Sequence, residues 1–418
     1  MVERADIPSG NGPYYSFPGY ETVYPKVVIE ALAKLYVEYN KAFASLVSAN
    51  REWPDDYQYC MIDGRPTNFA VQIDMAGLTD LFLERAGKLS VDEMVKLLRF
   101  QIFEIENSVA VYSLLRKLFP KGSHLSRFES NFDAVLNGIK KRFGRKPVAL
   151  LAVTPDKYRA ICVSEFGIIG RDPTDEEVKA LSGFDRLFSP DAFLRHLREN
   201  DGNCKYLLYV RSSDPIAKLK DPSAAVDQPL LGNDEVRRVI KAHTITMNVD
   251  APDMRYDRRI NNTKAYMWRM GMAHPIEDVD DLYGLPFQWF LQGRGIDPAH
   301  VMRGTIPLRA KPLKGTYGCY GHVVDWMDTG FPRKLRHEMN GRGGYVVQPE
   351  LPAHIVHNTD DDSQYYVIDR IFFGIIKGGE PIFLQGFRSM MPIDSTEGRK
   401  GRNHGNVKTV WAPVSDGS

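Results

Sequence analysis

Residues 309–324, which read RAKPLKGTYGCYGHVV, place two lysines beside a glycine-rich loop that joins two predicted strands. Glycine lets backbone N–H groups approach phosphate oxygens closely, and lysine adds a flexible positive charge. No helix evidently follows the loop, which distinguishes the segment from a Walker A loop or a Rossmann fingerprint. The segment therefore indicates either a phosphate-binding loop or an ordinary glycine-rich hairpin. The residues that would meet phosphate are Lys311, Lys314, Gly315, Gly318 and Gly321.

The composition is that of an ordinary globular protein of 418 residues. The 54 Lys and Arg residues nearly balance the 53 Asp and Glu residues, so nothing indicates a general nucleic-acid-binding or membrane-binding surface. The four cysteines are far apart and lack metal-ligand spacing, which is typical of a reduced compartment. Since neither a signal peptide nor an apolar run of about 18 residues is evident, we expect a cytoplasmic protein without a transmembrane helix.

Hydrophobic periodicity predicts that helices and strands alternate along the first part of the chain. A capping box of Ser90 and Glu93 is expected to open one of the predicted helices, which span residues 26–49, 91–118, 156–166 and, in two pieces, 174–199. The first two predicted strands are expected to form a hairpin, and the strands span residues 57–62, 69–73, 148–153 and 206–210. This alternation favours a parallel sheet, whereas short strands and glycine-rich turns are predicted from about residue 256 onward.

Several short motifs around the glycine-rich loop follow one another in a fixed order over residues 245–410. Asn248–Pro252 and Asn261–Lys264 precede the loop, and Tyr345–Glu350, the pair Asp369-Arg370 and then Arg388 follow it. In this order they are similar to the N-x-P, N-x-K, hinge, D-x-R and arginine motifs of ATP-grasp enzymes. The chain therefore resembles the ATP-grasp superfamily, and within it the glutathione-synthetase-like carboxylate–amine ligases.

The resemblance implies that two lysines and a hinge strand hold the nucleotide. Lys264 and Lys311 would reach the ATP phosphates. The backbone of the hinge, at Gln348 and Glu350, would hold the adenine. The structural alternatives are an exposed helix lysine for Lys264 and a plain turn residue for Glu350.

The resemblance also implies that Arg388 meets the transferred phosphate and that an R-G-N-like segment with Arg402 and Asn403 follows it. Lys311 and Arg388 would then be the catalytic residues. Arg402 would lie at the nucleotide, and Asn403 would lie at a metal ion. The alternatives are a structural ion pair for Arg388 and a solvated loop for Arg402.

The family's last helix and two strands, which carry its Mg²⁺ ligands, do not follow Asn403 in this sequence. A similar order lies near the N-terminus, where a helix precedes Asp63, a strand with Gln72 and Asp74, and a G-L-T-x-L tail. We hypothesise a circular permutation in which this hairpin packs back against the C-terminal half. Asp63 and Asp74 would bind Mg²⁺, with Gln72 where the family has glutamate. The alternative places Asp63 in an Asp-Gly turn and Asp74 at a strand end.

These expectations combine into an α/β (α+β) protein with an ATP-grasp fold in three parts. Residues 1–145 would hold a helical segment and the metal-binding hairpin, residues 146–255 a small α/β domain, and residues 256–418 the nucleotide-binding core. The resemblance implies an enzyme with ATP and Mg²⁺ as cofactors. It would be an ATP-dependent carboxylate–amine ligase that forms an amide or peptide bond through an acyl phosphate.

The implied partners are small carboxylate and amine substrates that resemble amino acids or peptides, with neither nucleic acid nor membrane. Arg211 and Arg255, near predicted strand ends, are candidates to meet a substrate carboxylate. Homo-oligomerisation is expected only by analogy with the family. Two alternative functions are an ATP-grasp kinase of a small molecule and a non-catalytic nucleotide-binding or scaffold protein.

Overall fold

A computed structural model of the chain shows a mixed α/β protein with parallel and antiparallel sheets. No helix among the described residues is both long enough and apolar enough to cross a lipid bilayer. The described residues are 3–5, 14–16, 21–49, 61–62, 65–106, 124–142, 148–152, 186–188, 195–196, 198–199, 206–211, 244–246, 265–303, 305–306, 308–312, 322–324, 336, 339, 344–349, 354–375, 379–393 and 409–417.

The described helices and strands are named here in chain order. The helices are α1 (Lys26–Ala49), α2 (Asp80–Ala86), α3 (Val91–Gln101), α4 (His124–Arg142), α5 (Ala265–Arg269), α6 (Leu285–Gln292) and α7 (Pro298–Met302), with a 3₁₀ helix at Val279–Tyr283. The strands of the first half are β1 (Glu3–Ala5), β2 (Tyr14–Ser16), β3 (Thr22–Val23), β4 (Met61–Ile62), β5 (Arg65–Pro66), β6 (Ala70–Ala76), β7 (Ile102–Glu106), β8 (Val148–Ala152), β9 (Arg186–Phe188) and β10 (Tyr206–Arg211). The remaining strands are β11 (Thr244–Thr246), β12 (His274–Ile276), β13 (Leu308–Pro312), β14 (His322–Val324), β15 (Tyr345–Pro349), β16 (His354–Asn358), β17 (Gln364–Ile375), β18 (Pro381–Pro392) and β19 (Thr409–Ser415).

Helix α1 packs an apolar stripe against the largest sheet. Its buried side chains recur at the three- and four-residue spacing of a helix, and they include Val28, Leu32, Leu35, Tyr36, Tyr39 and Phe43. The ring centroid of Tyr36 lies 6.2 Å from that of Phe373 on β17. The helix predicted over residues 26–49 is therefore confirmed.

Local capping signals start the two helices that follow β6. The hydroxyl of Thr79 accepts a hydrogen bond from the backbone N–H of Phe82, at the first turn of α2. At the start of α3, Ser90 and Glu93 form the predicted capping box, with the backbone N–H of Ser90 donating to Glu93 at 2.9 Å. Each cap satisfies backbone donors that would otherwise lack a partner, so both helix starts are fixed by short-range chemistry.

Strand β17 is the centre of a nine-stranded sheet that joins both ends of the chain. One edge of β17 pairs antiparallel with β18, which in turn pairs with β19. The other edge is shared, because β16 pairs with residues 364–367 and the N-terminal strand β6 pairs with residues 368–374. Strand β7 pairs with the second edge of β6. The circular permutation requires such pairing between the two ends of the chain, although the permutation itself stays a prediction.

Gly77 lies where β6 and β16 meet along β17. Its backbone N–H donates to the carbonyl of Val367 at 3.1 Å. A Cβ atom at this position would lie 2.4 Å from Cγ1 of Val367 and 3.0 Å from Nδ1 of His354. The shared edge therefore requires glycine here, because any side chain would collide with both neighbouring strands.

The described residues also form two four-stranded sheets, one parallel and one antiparallel. The order β11-β10-β8-β9 is parallel throughout, which confirms the predicted parallel sheet for these strands. The order β12-β15-β13-β14 is antiparallel and buries one face against α6. That core includes Leu308, Ala310, Tyr345, Val347, Phe287 and Leu291.

One helix prediction is wrong because a strand finds its partner elsewhere in the chain. The predicted helix 91–118 ends at Gln101, and residues 102–106 instead form β7 beside β6. Ile102 and Ile105 on this strand are buried in the core. Within the region 174–199, which is predicted to hold two helices, residues 186–188 form β9 and pair with β8, and residues 195–196 and 198–199 are helical. Short apolar runs fit either structure, so the partner strand decides between them.

Two strand predictions are also corrected. The expected hairpin between residues 57–62 and 69–73 is not formed by the described residues, because β4 pairs with β5 and β6 pairs with β17 and β7. The strands after residue 256 are not all short, since β17 and β18 each have 12 residues. Their length is explained by the number of partners, because this long hairpin carries β6, β16 and β19 on its edges.

A buried ion pair ties this sheet to the N-terminal part of the chain. Nε and Nη2 of Arg388 donate to the two carboxylate oxygens of Asp369 at 2.8 and 2.9 Å, and both side chains are fully buried. The same Nη2 donates to the carbonyl of Leu78 at 2.6 Å. The backbone N–H of Leu78 and the hydroxyl of Tyr24 both donate to Asp369, at 2.9 and 2.5 Å. Burial and the charge of Asp369 raise the pKa of Tyr24 well above its usual value, which keeps this donor protonated.

We expect Arg388→Met to destabilise the protein by about 3–5 kcal/mol, because it leaves the Asp369 carboxylate buried without its counter-ion. Urea unfolding of Arg388→Met, Asp369→Leu and the double variant measures the cost. The double variant should cost less than the sum of the two single variants, since the two side chains are coupled. Lys34→Met, which removes an exposed pair with Asp92, is the control and should leave the midpoint unchanged. An Arg388→Met midpoint equal to that of the control would contradict the structural role of the pair.

Candidate functional site

Strands β13 and β15 present one polar face and one apolar face. Arg309 is directly opposite Gln348, and Lys311 is directly opposite Val346. Directly opposite residues of antiparallel strands share a face, so Arg309, Lys311 and Gln348 lie on the same side. The opposite side is the apolar core with α6. The strand that leads into the glycine-rich segment thus carries its lysine on the polar face.

This polar face lies against β7. The ammonium group of Lys311 donates to the carbonyl of Phe103, and Nε2 of Gln348 lies 3.5 Å from the carbonyl of Ile102. The guanidinium carbon of Arg309 lies 5.7 Å from the ring centroid of Phe103, which is a cation–π distance. Lys311 is 7% exposed and Gln348 is 4% exposed. Backbone carbonyls of the N-terminal strand β7 therefore lie against side chains of β13 and β15.

A second polar face lies on β6, β7 and β17. Asp74 is directly opposite Arg370 on one side and Glu104 on the other, so the three side chains share a face. Nε2 of Gln72 donates to Oδ1 of Asp74 at 2.7 Å. Nε of Arg370 lies 3.8 Å from the same oxygen, which is an ion-pair contact and too long for a hydrogen bond. The alternate residues of β6 are buried in the core on the opposite face, and they include Val71, Ile73 and Met75.

The charges of the two faces act on one another at Asp74. Burial raises the pKa of Asp74, and the neighbouring Glu104 carboxylate raises it further. The guanidinium of Arg370, the hydrogen bond from Gln72 and the ammonium of Lys311 lower it, but the net pKa remains raised. Lys311 contacts the carbonyl of Phe103, next to Glu104 on the strand that pairs with Asp74, so the two faces meet at β7 and form one site. We call it the intersheet cluster, and its members are Gln72, Asp74, Glu104, Lys311, Gln348 and Arg370.

Buried glutamine amides in this region have polar atoms without a hydrogen-bond partner in the described part of the chain. These atoms are Oε1 of Gln72, Oε1 of Gln348 and both amide atoms of Gln385. Gln72 is 2% exposed, and the other two are 4% exposed. Gln385 is directly opposite Phe372, which places it on the Arg370 face of β17. Since buried polar atoms are nearly always hydrogen-bonded, these atoms are suited to contact a bound molecule.

The structure brings three of the predicted site residues together in the intersheet cluster. Lys311 and Gln348 both contact β7, and Asp74 lies beside β7 within reach of the Lys311 charge. The fourth described residue, Arg388, lies elsewhere. It points to the core face of the sheet, where it is fully buried against Asp369. This geometry fits the structural ion pair that was the alternative for Arg388, and it leaves the side chain without access to a substrate in this structure.

The remaining predicted site residues lie outside the described residues, and their roles stay predictions. They are Asp63, Lys264, Lys314, Gly315, Gly318, Gly321, Glu350, Arg402 and Asn403. Arg255 also lies outside the described residues, whereas Arg211 is the last residue of β10. Strands β13 and β14 pair antiparallel on either side of residues 313–321, so the predicted order of strand, glycine-rich segment and strand is present.

Sequence reasoning missed Glu104 and gave Arg370 no role in the site. Glu104 was hidden in a segment predicted to be helical, although residues 103–106 alternate between apolar and charged in the manner of a half-buried strand. Arg370 was part of a recognised motif, but a motif does not state which face of the strand a residue occupies. The register with Asp74 supplies that information for both residues.

The intersheet cluster contains the oxygen donors that Mg²⁺ prefers. Asp74 and Glu104 offer carboxylates, and the buried Oε1 of Gln72 offers a neutral oxygen beside them. The described residues include no group of three or more His, Cys, Asp or Glu side chains arranged to hold a metal ion. Asp63, the other predicted ligand, lies outside the described residues. Among the described residues, the oxygen ligands of this cluster therefore number three only when the amide oxygen of Gln72 is counted with the two carboxylates.

No family model matches the sequence, and no curated protein matches it. The resemblance to ATP-grasp enzymes therefore depends on the motifs of the sequence itself and stays a prediction.

We expect Asp74→Asn to stabilise the ligand-free protein at about pH 7. The pKa of Asp74 is raised in the folded state, so folding favours the protonated carboxyl. That contribution to the free energy of unfolding is full below the unfolded-state pKa and is lost as pH rises through the folded-state pKa. The amide mimics the protonated form and avoids the loss.

Thermal unfolding at several pH values tests this expectation. The advantage of Asp74→Asn should shrink as the pH falls toward the unfolded-state pKa of about 3.9. Asp133→Asn, at an exposed position of α4, is the matched control and should follow the unsubstituted protein. An Asp74→Asn variant that is less stable than the control at neutral pH would show that the carboxylate is held in a favourable ion pair instead.

Proposed function

We propose that this chain is an ATP-dependent carboxylate–amine ligase of the ATP-grasp type. One observation carries the proposal: the Lys311 side chain of β13 is held by the carbonyl of Phe103 on β7, 208 residues away in sequence, beside the paired Asp74 and Glu104. The order of the motifs predicts this contact between the N-terminal strands and β13 only if the chain is circularly permuted, with the predicted metal-binding hairpin first. The pairing of β6 with β17 supports that arrangement.

The charges of the intersheet cluster suit a polyphosphate and a cation together. Positive charge comes from Lys311 and Arg370, and negative charge comes from Asp74 and Glu104. All four side chains are mostly buried. Charge interactions are stronger in such a setting than in water. Phosphoryl transfer needs mainly positioning and charge stabilisation, so a site of this composition can serve it without a protein nucleophile.

In the proposed reaction the protein residues bind and orient the substrates. Lys311 exchanges its bond to the Phe103 carbonyl for a phosphate oxygen, and Arg370 meets the phosphates from β17. Asp74 and Gln72 would hold Mg²⁺, which when bound neutralises the charge of the triphosphate. The γ-phosphate passes to a substrate carboxylate oxygen, which yields ADP and an acyl phosphate. The amine nitrogen then attacks the carbonyl carbon, phosphate leaves, and the amine loses a proton.

A non-catalytic nucleotide-binding protein is the second candidate, and one observation favours it. Gln72 stands where the resembled family has a carboxylate, which lowers the negative charge available to metal ions. Such a protein would bind the nucleotide in the same cluster but would not turn it over.

We expect a non-hydrolysable ATP analogue with Mg²⁺ to raise the thermal midpoint, by about 2.7 kcal/mol of apparent stability at ~100 times the dissociation constant. Lys311→Met should lose most of this ligand-dependent shift, because it removes the buried ammonium that would meet the phosphates. Lys88→Met, at an exposed position after α2, is the matched control and should keep the shift. Comparing shifts with ligand, and not absolute midpoints, removes any effect of Lys311→Met on folding. No shift in the unsubstituted protein would contradict the nucleotide site.

Turnover distinguishes the ligase from its alternatives. With ATP, Mg²⁺ and a panel of amino acids and short peptides, a ligase should release ADP and phosphate in equal amounts and give a condensed product by mass spectrometry. A kinase would release ADP without free phosphate and yield a phosphorylated product. A nucleotide-binding protein would bind the analogue and release neither. Either of these last two results would replace the ligase.

A further inference from the structure

Glu104 joins the intersheet cluster from a strand that lies outside the motifs that resemble ATP-grasp enzymes. It is on β7, directly opposite Asp74 of β6, and the two side chains share a face. Side chains in directly opposite positions of antiparallel strands have Cβ atoms about 4.5–5.5 Å apart. The register thus makes the two side chains neighbours, and the Glu104 carboxylate contributes to the raised pKa of Asp74.

The amide of Gln72 gives an independent indication of a ligand at this point. Its Nε2 donates to Oδ1 of Asp74 at 2.7 Å, which fixes the orientation of the amide. Its Oε1, on the same amide, is buried and has no hydrogen-bond partner in the described part of the chain. Gln72 as a whole is 2% exposed. A buried acceptor oxygen without a donor, on an amide that contacts a carboxylate, is suited to a cation.

We propose that Glu104 of β7, with Asp74 and Gln72 of β6, forms the divalent-cation site of this protein, and that β7 supplies the carboxylate that position 72 lacks. The inference rests on the proposed function for its role in catalysis, although cation binding can be measured without it. Two carboxylates and one amide oxygen give three hard donors on one side of the ion. The other positions of an octahedral ion are left for water or phosphate oxygens.

The charge balance of the cluster explains why glutamine suits position 72. A glutamate there would place a third carboxylate beside Asp74 and Glu104 in a buried setting, where like charges repel strongly. With glutamine, the two carboxylates balance one divalent ion, and Lys311 and Arg370 keep their charge for an anionic partner of that ion. The cluster is therefore built for one cation, not two.

Binding of Mn²⁺ as a spin-active substitute for Mg²⁺ tests the proposal directly. We would titrate Mn²⁺ into the full chain and follow the loss of the free-ion signal by electron paramagnetic resonance, with and without the ATP analogue. The unsubstituted protein should bind one ion. Glu104→Gln, which keeps the side-chain volume, should weaken Mn²⁺ binding at least about tenfold, since affinity depends strongly on ligand charge. Glu84→Gln, at an exposed position of α2, should not weaken it.

A second variant keeps the test informative if Glu104→Gln folds poorly. Gln72→Glu adds a carboxylate to the same face, so it should destabilise the cation-free protein and strengthen Mn²⁺ binding at least about tenfold. Its thermal midpoint should therefore rise with Mn²⁺ more than that of the unsubstituted protein. Circular dichroism confirms that each variant is folded.

The outcomes separate this inference from the proposed function. Mn²⁺ binding that depends on Glu104 supports the site, whether or not the ATP analogue binds. Mn²⁺ binding that is absent, or equal in Glu104→Gln and the Glu84→Gln control, overturns it. Failure of the analogue to shift the midpoint removes the nucleotide site and leaves a cation site only. Analogue binding whose Mn²⁺ dependence is unchanged by Glu104→Gln removes the cation ligand and leaves the nucleotide site.

Discussion

The buried ion pair between Arg388 and Asp369 is the constraint on which the rest of the structure depends. It joins β17 to β18, and its remaining hydrogen bonds reach Tyr24 before α1 and Leu78 after β6. A buried charge without its partner is very costly, so these four segments must assemble in one register. That same register places Asp74 opposite Arg370 on the other face of the sheet. The charged cluster is thus positioned by a core interaction that takes no part in it.

The sequence predicts the elements whose causes are local and misses those whose causes are distant. Helix α1 follows from the spacing of its apolar residues, and the start of α3 follows from Ser90 and Glu93. Strand β7 could not be predicted in the same way, because Ile102–Glu106 becomes a strand through its pairing with β6. The long β17–β18 hairpin likewise reflects the number of strands that pair with it.

The sequence indicated some residues of the candidate site and missed others. Motif order drew attention to Lys311 and Asp74, which the structure brings into one cluster. Motif order does not say which face of a strand a residue occupies, and Arg388 lies on the core face. Glu104 carries no motif at all, and only the register of two strands reveals it. The sequence thus indicates which side-chain types the site uses. The face of the strand that each one occupies, and the residues beside it, follow only from the pairing of the strands.

The edge of β17 that β6 and β16 share has a consequence for the order of events during synthesis. Strand β6 leaves the ribosome long before residues 368–374, the segment beside which it must lie, have been made. Until then the edge of β6 that faces β17 is unpaired, and unpaired edges invite association with other chains. Sheets whose partners are this distant also form slowly. That edge of β6 therefore stays open to other chains until the C-terminal hairpin has been made.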